Sequence, residues 1–212
     1  MVAREPDDGP RMVWYASYGS NLCAERFLCY LQGGRPAGSS RRYTGARDKT
    51  PPKRDRSLEV PYRLYFAGVS TTWGGSPCFI DTEQSHAAPA RARAYLITWE
   101  QFEDVVAQEN GRPGASIDLD LDGLDEGASV RVGPGRYENM LCTGRFDDVP
   151  VLTFTSPWTM ADAEIGAPAP AYLSMLVTGL RESHKLSDDA LVAYLGAAPG
   201  CSEDLVTSVL AA

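Results

Sequence analysis

The chain has 212 residues, 43% of them hydrophobic and 23% charged, with a formal net charge of −8 and only two histidines. That is enough chain for one domain with a buried core, and it excludes a uniformly basic nucleic-acid binder and chemistry that needs several imidazoles. No run approaches the ~18 apolar residues of a membrane span, and residues 1–10 lack the apolar stretch of a signal peptide, so they read as a flexible leader.

Residues 11–17 are rich enough in apolar and aromatic side chains to predict a strand. Tyr18-Gly19-Ser20 follows as a turn, and Asn21 is placed to cap a helix over about 22–31, which Gly33-Gly34 ends. Residues 35–57 hold eight Lys and Arg residues against two Asp. This local charge of +6 leaves −14 for the rest of the chain. Pro51-Pro52 and the Gly and Ser residues around it predict a long basic loop. Strands are predicted at about 62–67, 77–80 and 92–97, then a helix at about 99–109. Further strands are expected near 116–121, 128–132, 139–143 and 150–155. Pro168 and Pro170 open a helix of about 171–183, where proline is tolerated. Ser187 and Ser202 start two short helices near 188–195 and 203–211.

No internal repeat is visible, and the strands do not alternate regularly with helices. The pattern predicts a single α+β domain, a mixed, barrel-like sheet flanked by helices, over residues 11–185. The basic loop 35–57 reads as an insertion and residues 186–212 as a C-terminal helical extension. Cys23, Cys29, Cys78, Cys142 and Cys201 are odd in number and form no C-x-x-C pair, as expected of reduced cysteines in the cytoplasm. They supply no zinc cluster, and neither a metal nor another cofactor is expected.

Two features carry chemistry. Thr98-Trp99-Glu100-Gln101 is a capping box that sets the phase of the helix after it. Its apolar face runs Phe102, Val105 and Val106, and the next position on that face is Glu109. A carboxylate facing the core is costly unless paired or neutralised, and a desolvated carboxyl group is suited to proton transfer. Glu100, Glu103 and Asp104 fall on other faces, where water can reach them. The plainer reading of Glu109 is a residue at a frayed helix end that turns to solvent. The second feature is Tyr18-Gly19-Ser20-Asn21-Leu22, between a strand and a helix. Such a turn directs free backbone N–H groups and the positive end of the helix dipole at one spot, where a carboxylate or developing oxyanion is stabilised. Gly19 allows a close approach, and Ser20 and Asn21 add polar side chains.

Val13-Trp14-Tyr15-Ala16-Ser17-Tyr18-Gly19-Ser20-Asn21-Leu22 resembles the signature of the gamma-glutamylcyclotransferase-like family. Gln108-Glu109-Asn110-Gly111 is similar to that family's Gln-Glu-Gly element. Pro168-Ala169-Pro170-Ala171-Tyr172, followed by Leu180-Arg181-Glu182, is similar to its late Pro-Ser-x-x-Tyr helix. The three stand in the family's order. The chain departs in the basic loop, in Ala169 where the late motif has Ser, and in Arg112-Pro113-Gly114 where a tyrosine is expected soon after the Glu.

The resemblance implies a metal-free cyclisation of the acyltransferase or lyase type. The α-amine of an L-γ-glutamyl group attacks its own γ-carbonyl, releasing 5-oxoproline and a free amine. Glu109 is the implied general acid/base. The substrate contacts fall to Tyr15, Tyr18, Gly19, Ser20, Asn21, Leu22 and Tyr172, and the partner is a small γ-glutamyl molecule. A homodimer is compatible with the sequence. Two rivals stand beside this reading: a non-catalytic ligand-binding protein on the same fold, and a nucleic-acid-contacting module working through loop 35–57, against which the acidic remainder argues. The basic loop is better placed as a border of the site. Asp118, Asp120 and Asp122 match half of a calcium loop, but Ser129 stands where the closing acid belongs.

Overall fold

A computed structural model describes residues 9–36 and 41–212. Most of the expected leader, residues 1–8, and residues 37–40 of the basic segment lie outside the described residues. The central strand is β1 (Met12–Ser17). Its side chains alternate between two cores, Trp14 and Ala16 in one, Val13 and Tyr15 in the other. That is the period of two that a strand covered on both faces requires.

The strands β2 (Arg54–Val60), β5 (Ala90–Thr98), β6 (Ser129–Arg131), β7 (Asn139–Phe146) and β8 (Val149–Thr155) join β1 in one sheet. Its order is β2-β5-β1-β8-β7-β6. Every neighbouring pair is antiparallel except β1 and β8, which run parallel. A separate antiparallel ribbon holds β3 (Tyr62–Phe66) and β4 (Cys78–Gln84). The architecture is therefore mixed α+β, as expected, but the sheet is not closed into a barrel. Side chains link the ribbon to the sheet: Ile80 N–H donates to Thr155 Oγ1 at 3.2 Å, and Thr155 Oγ1 donates back to Ile80 O at 2.5 Å.

Helices cover both faces. α1 (Ala24–Gln32) and α2 (Trp99–Glu109) bring Phe27, Tyr30, Leu31, Phe102, Val105 and Val106 to the Tyr15 side. α3 (Pro170–His184), α4 (Asp188–Gly196) and α5 (Glu203–Leu210) bring Leu173, Leu176, Leu180, Leu191, Leu195 and Val206 to the Trp14 side. The C-terminal helices, expected as an appendage, thus share the core of α3. Burying each such aliphatic side chain contributes roughly 1.5–3 kcal/mol.

Three local expectations give way. Residues 54–57 are not loop but the start of β2, a sheet edge whose exposed Arg54, Asp55 and Arg56 look like loop in sequence. Residues 116–121 form no strand, and Leu121 and Leu124 tuck into the core from an irregular segment. Glu103 and Asp104 are buried rather than solvated, because Arg47 reaches across from the basic segment. Arg47 Nε sits 3.0 Å from Asp104 Oδ1 and its Nη2 3.2 Å from Glu103 Oε2. At the end of α3, burial holds His184 below its usual pKa.

Candidate active site

The capping box forms as the sequence predicts: Gln101 N–H donates to Thr98 Oγ1 while the Gln101 side chain accepts from Thr98 N–H. Eleven residues later in phase, α2 ends on Glu109. Glu109 does not turn to bulk water. It is half-buried in the wall of a cavity of about 330 Å3. A carboxylate at a helix C-terminus faces the negative end of the helix dipole, so helix stability does not account for it. Asn21 Nδ2 lies 3.4 Å from Glu109 Oε1 and 3.3 Å from Tyr15 Oη.

The turn after β1 supplies the opposite wall. Ser20–Leu22 is a single 3-10 turn, and Asn21 is not the N-cap of α1, which starts one turn later behind Cys23. Glu182 of α3 takes over the capping role, accepting from Ala24 N–H at 3.0 Å. This leaves the Asn21 amide for the cavity. Among the described residues, the N–H groups of Gly19, Ser20 and Asn21 have no protein acceptor, whereas Leu22 N–H is taken by Gly19 O at 2.9 Å. Leu22 is a core residue outside the cavity lining, so of the predicted contacts it alone is not in the site. Side chains of β5 hold the turn rigid: Tyr95 Oη donates to Asn21 O at 2.8 Å and Arg93 Nη1 to Leu22 O at 3.2 Å.

Tyr15, Tyr18 and Tyr172 all line the cavity. Tyr18 Oη is engaged with Phe154 O at 2.8 Å, and Tyr172 Oη with Cys78, whose N–H it accepts at 3.1 Å. Burial pushes all three phenols above their ordinary pKa, and the Glu109 charge adds to this at Tyr15 and Tyr172. They stay neutral hydroxyl groups. Gly19 is needed for packing rather than for a ligand: a Cβ there would stand 3.1 Å from Cys78 Sγ and 3.4 Å from Tyr172 Oη. Burial also pushes the Cys78 thiol up to about 12, which disqualifies it as a neutral-pH nucleophile.

Four site residues escaped the sequence reading. Tyr137 enters from the segment before β7, its backbone paired with the Asn110 side chain. Arg41 and Tyr43, from the basic segment, line the cavity, with Arg41 Nη2 donating to Gln108 O at 2.9 Å. Arg26 of α1 is buried, and its Nη2 donates to Tyr43 Oη at 2.8 Å and Tyr30 Oη at 3.2 Å. Burial opposes the Arg26 charge, but the two phenol oxygens and Glu109 more than offset it. The spacing of Arg26 and Tyr30, four residues apart on one helix face, was the available signal.

No protein-family model matches the chain. It is 36% identical over 201 residues to histone deacetylase 5 of Arabidopsis thaliana, a match spanning 86% of this chain and 30% of that protein. It is 34% identical over 112 residues to gamma-glutamyl cyclotransferase aclK of Aspergillus oryzae, which takes in 50% of this chain and 37% of that protein. The chain thus spans about a third of the length of the curated relatives it matches. Among solved structures, a gamma-glutamyl cyclotransferase superimposes with a TM-score of 0.50 at 15% identity, covering 95% of this chain and 100% of that one. At that identity the likeness is one of fold.

Proposed function

We propose that this chain, whose fold is that of the gamma-glutamylcyclotransferase-like family, cyclises an L-γ-glutamyl amide to 5-oxoproline and a free amine. The observation that carries the reading is Glu109 facing the open N–H groups of the Gly19–Asn21 turn across one cavity. The substrate's α-ammonium gives a proton to the Glu109 carboxylate. The freed amine attacks the γ-carbonyl carbon, and the N–H groups of Gly19, Ser20 and Asn21 stabilise the oxyanion that forms. Glu109 then returns the proton to the departing nitrogen as the amide C–N bond breaks, and the ring nitrogen gives up its second proton, so that the products are the neutral lactam and the ammonium form of the released amine. The nucleophile is tethered, so the cavity chiefly has to hold one rotamer of a five-membered ring closure. Neutral Tyr15 and Tyr172 are available to donate to the substrate, whereas the Tyr137 hydroxyl already donates to Cys78 O at 3.2 Å.

The five cysteines are all free, in keeping with the proposed cytoplasmic setting. No helix among the described residues is long and apolar enough to cross a membrane. Incubation with a panel of γ-glutamyl amino acids, peptides and amines should yield 5-oxoproline from at least one. Glu109→Gln should lower kcat/KM on that substrate by about 100-fold to 10,000-fold, the usual worth of a general acid/base, with an unchanged thermal midpoint. A fully active Glu109→Gln protein would remove Glu109 from the role.

A further inference from the structure

The turn that carries the open N–H groups is gripped from behind by β5. The strand register sets Tyr95 opposite Tyr15 and Arg93 opposite Ser17. The Tyr95 ring stacks on Phe27 with centroids 4.1 Å apart, and neither Tyr95 nor Arg93 lines the cavity. Tyr95 Oη donates to Asn21 O at 2.8 Å. That carbonyl shares its peptide group with the Leu22 N–H, which donates to Gly19 O at 2.9 Å. The Gly19 carbonyl shares its own peptide group with the N–H of Ser20, a cavity-lining residue, and that N–H has no protein acceptor among the described residues. A second chain of bonds runs beside the first. Arg93 Nη1 donates to Leu22 O at 3.2 Å, Cys23 N–H donates to Ser20 O at 3.3 Å, and the peptide group so reached ends on the open Asn21 N–H. Arg93 is itself held by Asp55 and Glu182, each at 2.7 Å. The Gly19 N–H lies outside both chains: its peptide carbonyl, Tyr18 O, meets a weak donor, the Cys78 thiol at 3.9 Å.

A hydrogen bond accepted by a peptide carbonyl draws electron density toward the oxygen, and the N–H at the other end of that group becomes a stronger donor. We infer that Tyr95 and Arg93 are positioning residues, each heading a hydrogen-bonded relay through the turn backbone that strengthens the Ser20 and Asn21 N–H groups as oxyanion donors. The inference rests on the proposed cyclisation, and its effect falls on the step in which the oxyanion forms. Tyr95 is the stronger head, because both bonds of its relay are the shorter ones. Its hydroxyl keeps the proton it donates, since burial holds the phenol well above its ordinary pKa. A tyrosine outside the cavity thus acts on the reaction without touching the substrate.

The test is Tyr95→Phe, which keeps the ring on Phe27 and removes the first donor. In nitrogen–proton correlation spectra of the free chain, the Ser20 amide proton should move upfield while that of Gly19 stays. On a γ-glutamyl amide that the wild type cyclises, kcat should fall about 10-fold at unchanged KM, less than the ~100-fold or more that losing a whole oxyanion donor costs. A turn that is merely displaced would instead raise KM, or move Gly19 along with Ser20, and either result overturns the relay. An unmoved Ser20 proton overturns it too, as does an unchanged kcat. If Tyr95→Phe does not fold, fluorotyrosine at position 95 keeps the hydroxyl as a stronger donor. The Ser20 proton should then move downfield, and its failure to move is the overturning result. A Ser20 shift in a chain that releases 5-oxoproline from no γ-glutamyl amide would keep the relay and discard the cyclisation. Release by the wild type with Ser20 unmoved in the variant would do the reverse.

Discussion

Cys78 packs its sulphur against Gly19 and lies 3.1 Å from the Tyr172 hydroxyl, at the base of the turn on which the proposed chemistry depends. With its thiol pushed up to about 12, only about one molecule in ten thousand carries the thiolate at pH 8. Iodoacetamide should therefore leave Cys78 unlabelled in the native protein and label it fully in denaturant, read by peptide mass spectrometry. Rapid native labelling would show that the thiol is exposed and acidic. The same residue scale shows what single positions conceal. Glu109 could be singled out because a capping box upstream set its phase. Arg26 had only its spacing to Tyr30 to mark it, a weak signal because an arginine on an amphipathic helix ordinarily reaches water, and only folding brings Tyr43 over it. Tyr137 stands 28 positions beyond Glu109 and meets it through backbone hydrogen bonds to Asn110, which no spacing rule encodes.

Elements hold the site by close approach rather than by charge. Gly179 lies in the middle of α3, where glycine ordinarily weakens a helix by about 1 kcal/mol relative to alanine. A Cβ at that position would collide with the backbone of Leu22 and Cys23, so α3 presses directly on the turn that leads into α1. Gly179→Ala should therefore destabilise by about 1–3 kcal/mol, as overpacking does, instead of stabilising. Denaturant titration measures the sign, and a more stable variant would mean that the turn can retreat at no cost. Arg47, bound to Glu103 and Asp104, joins the basic segment to α2 in a comparable way. Element type was well read where caps and alternation were strong, as in β1, α2 and α3. It was misread at β2, whose edge position tolerates charge, and at 116–121, where alternating Asp and Leu serve an irregular segment that still buries Leu121.

For the molecule as a whole, the +6 of the basic segment is not a free-standing patch. Arg47 is paired with α2, Arg54 and Arg56 lie over the Trp14 and Phe146 rings, and Arg41 borders the cavity. The sequence suggested a border position for this segment, and its partners lie too far along the chain to have been read from it. The C-terminal helices are equally integral. Leu191, Leu195 and Val206 are fully buried, and losing a buried aliphatic side chain typically costs about 2–5 kcal/mol. Removing residues 186–212 takes away all three, which together rival the ~5–15 kcal/mol stability of an ordinary domain. The truncated chain should show no cooperative thermal transition and no near-ultraviolet circular dichroism. A cooperatively folded truncation would make these helices an accessory.

The position of β1 in the sheet also sets the timing of assembly. Trp14 is flanked by Leu96 on one side and Val151 on the other. On the ribosome, β1 waits for every residue up to β8 before its second neighbour exists, and the parallel pairing requires a long loop to close. Tyr15 and Tyr172, facing one cavity, are separated by nearly the same stretch of translation. The nascent chain therefore carries an apolar, half-paired strand until β8 is made. The cavity is complete only once α3 has followed β8, and β1 is the segment for which a chaperone would have most to do.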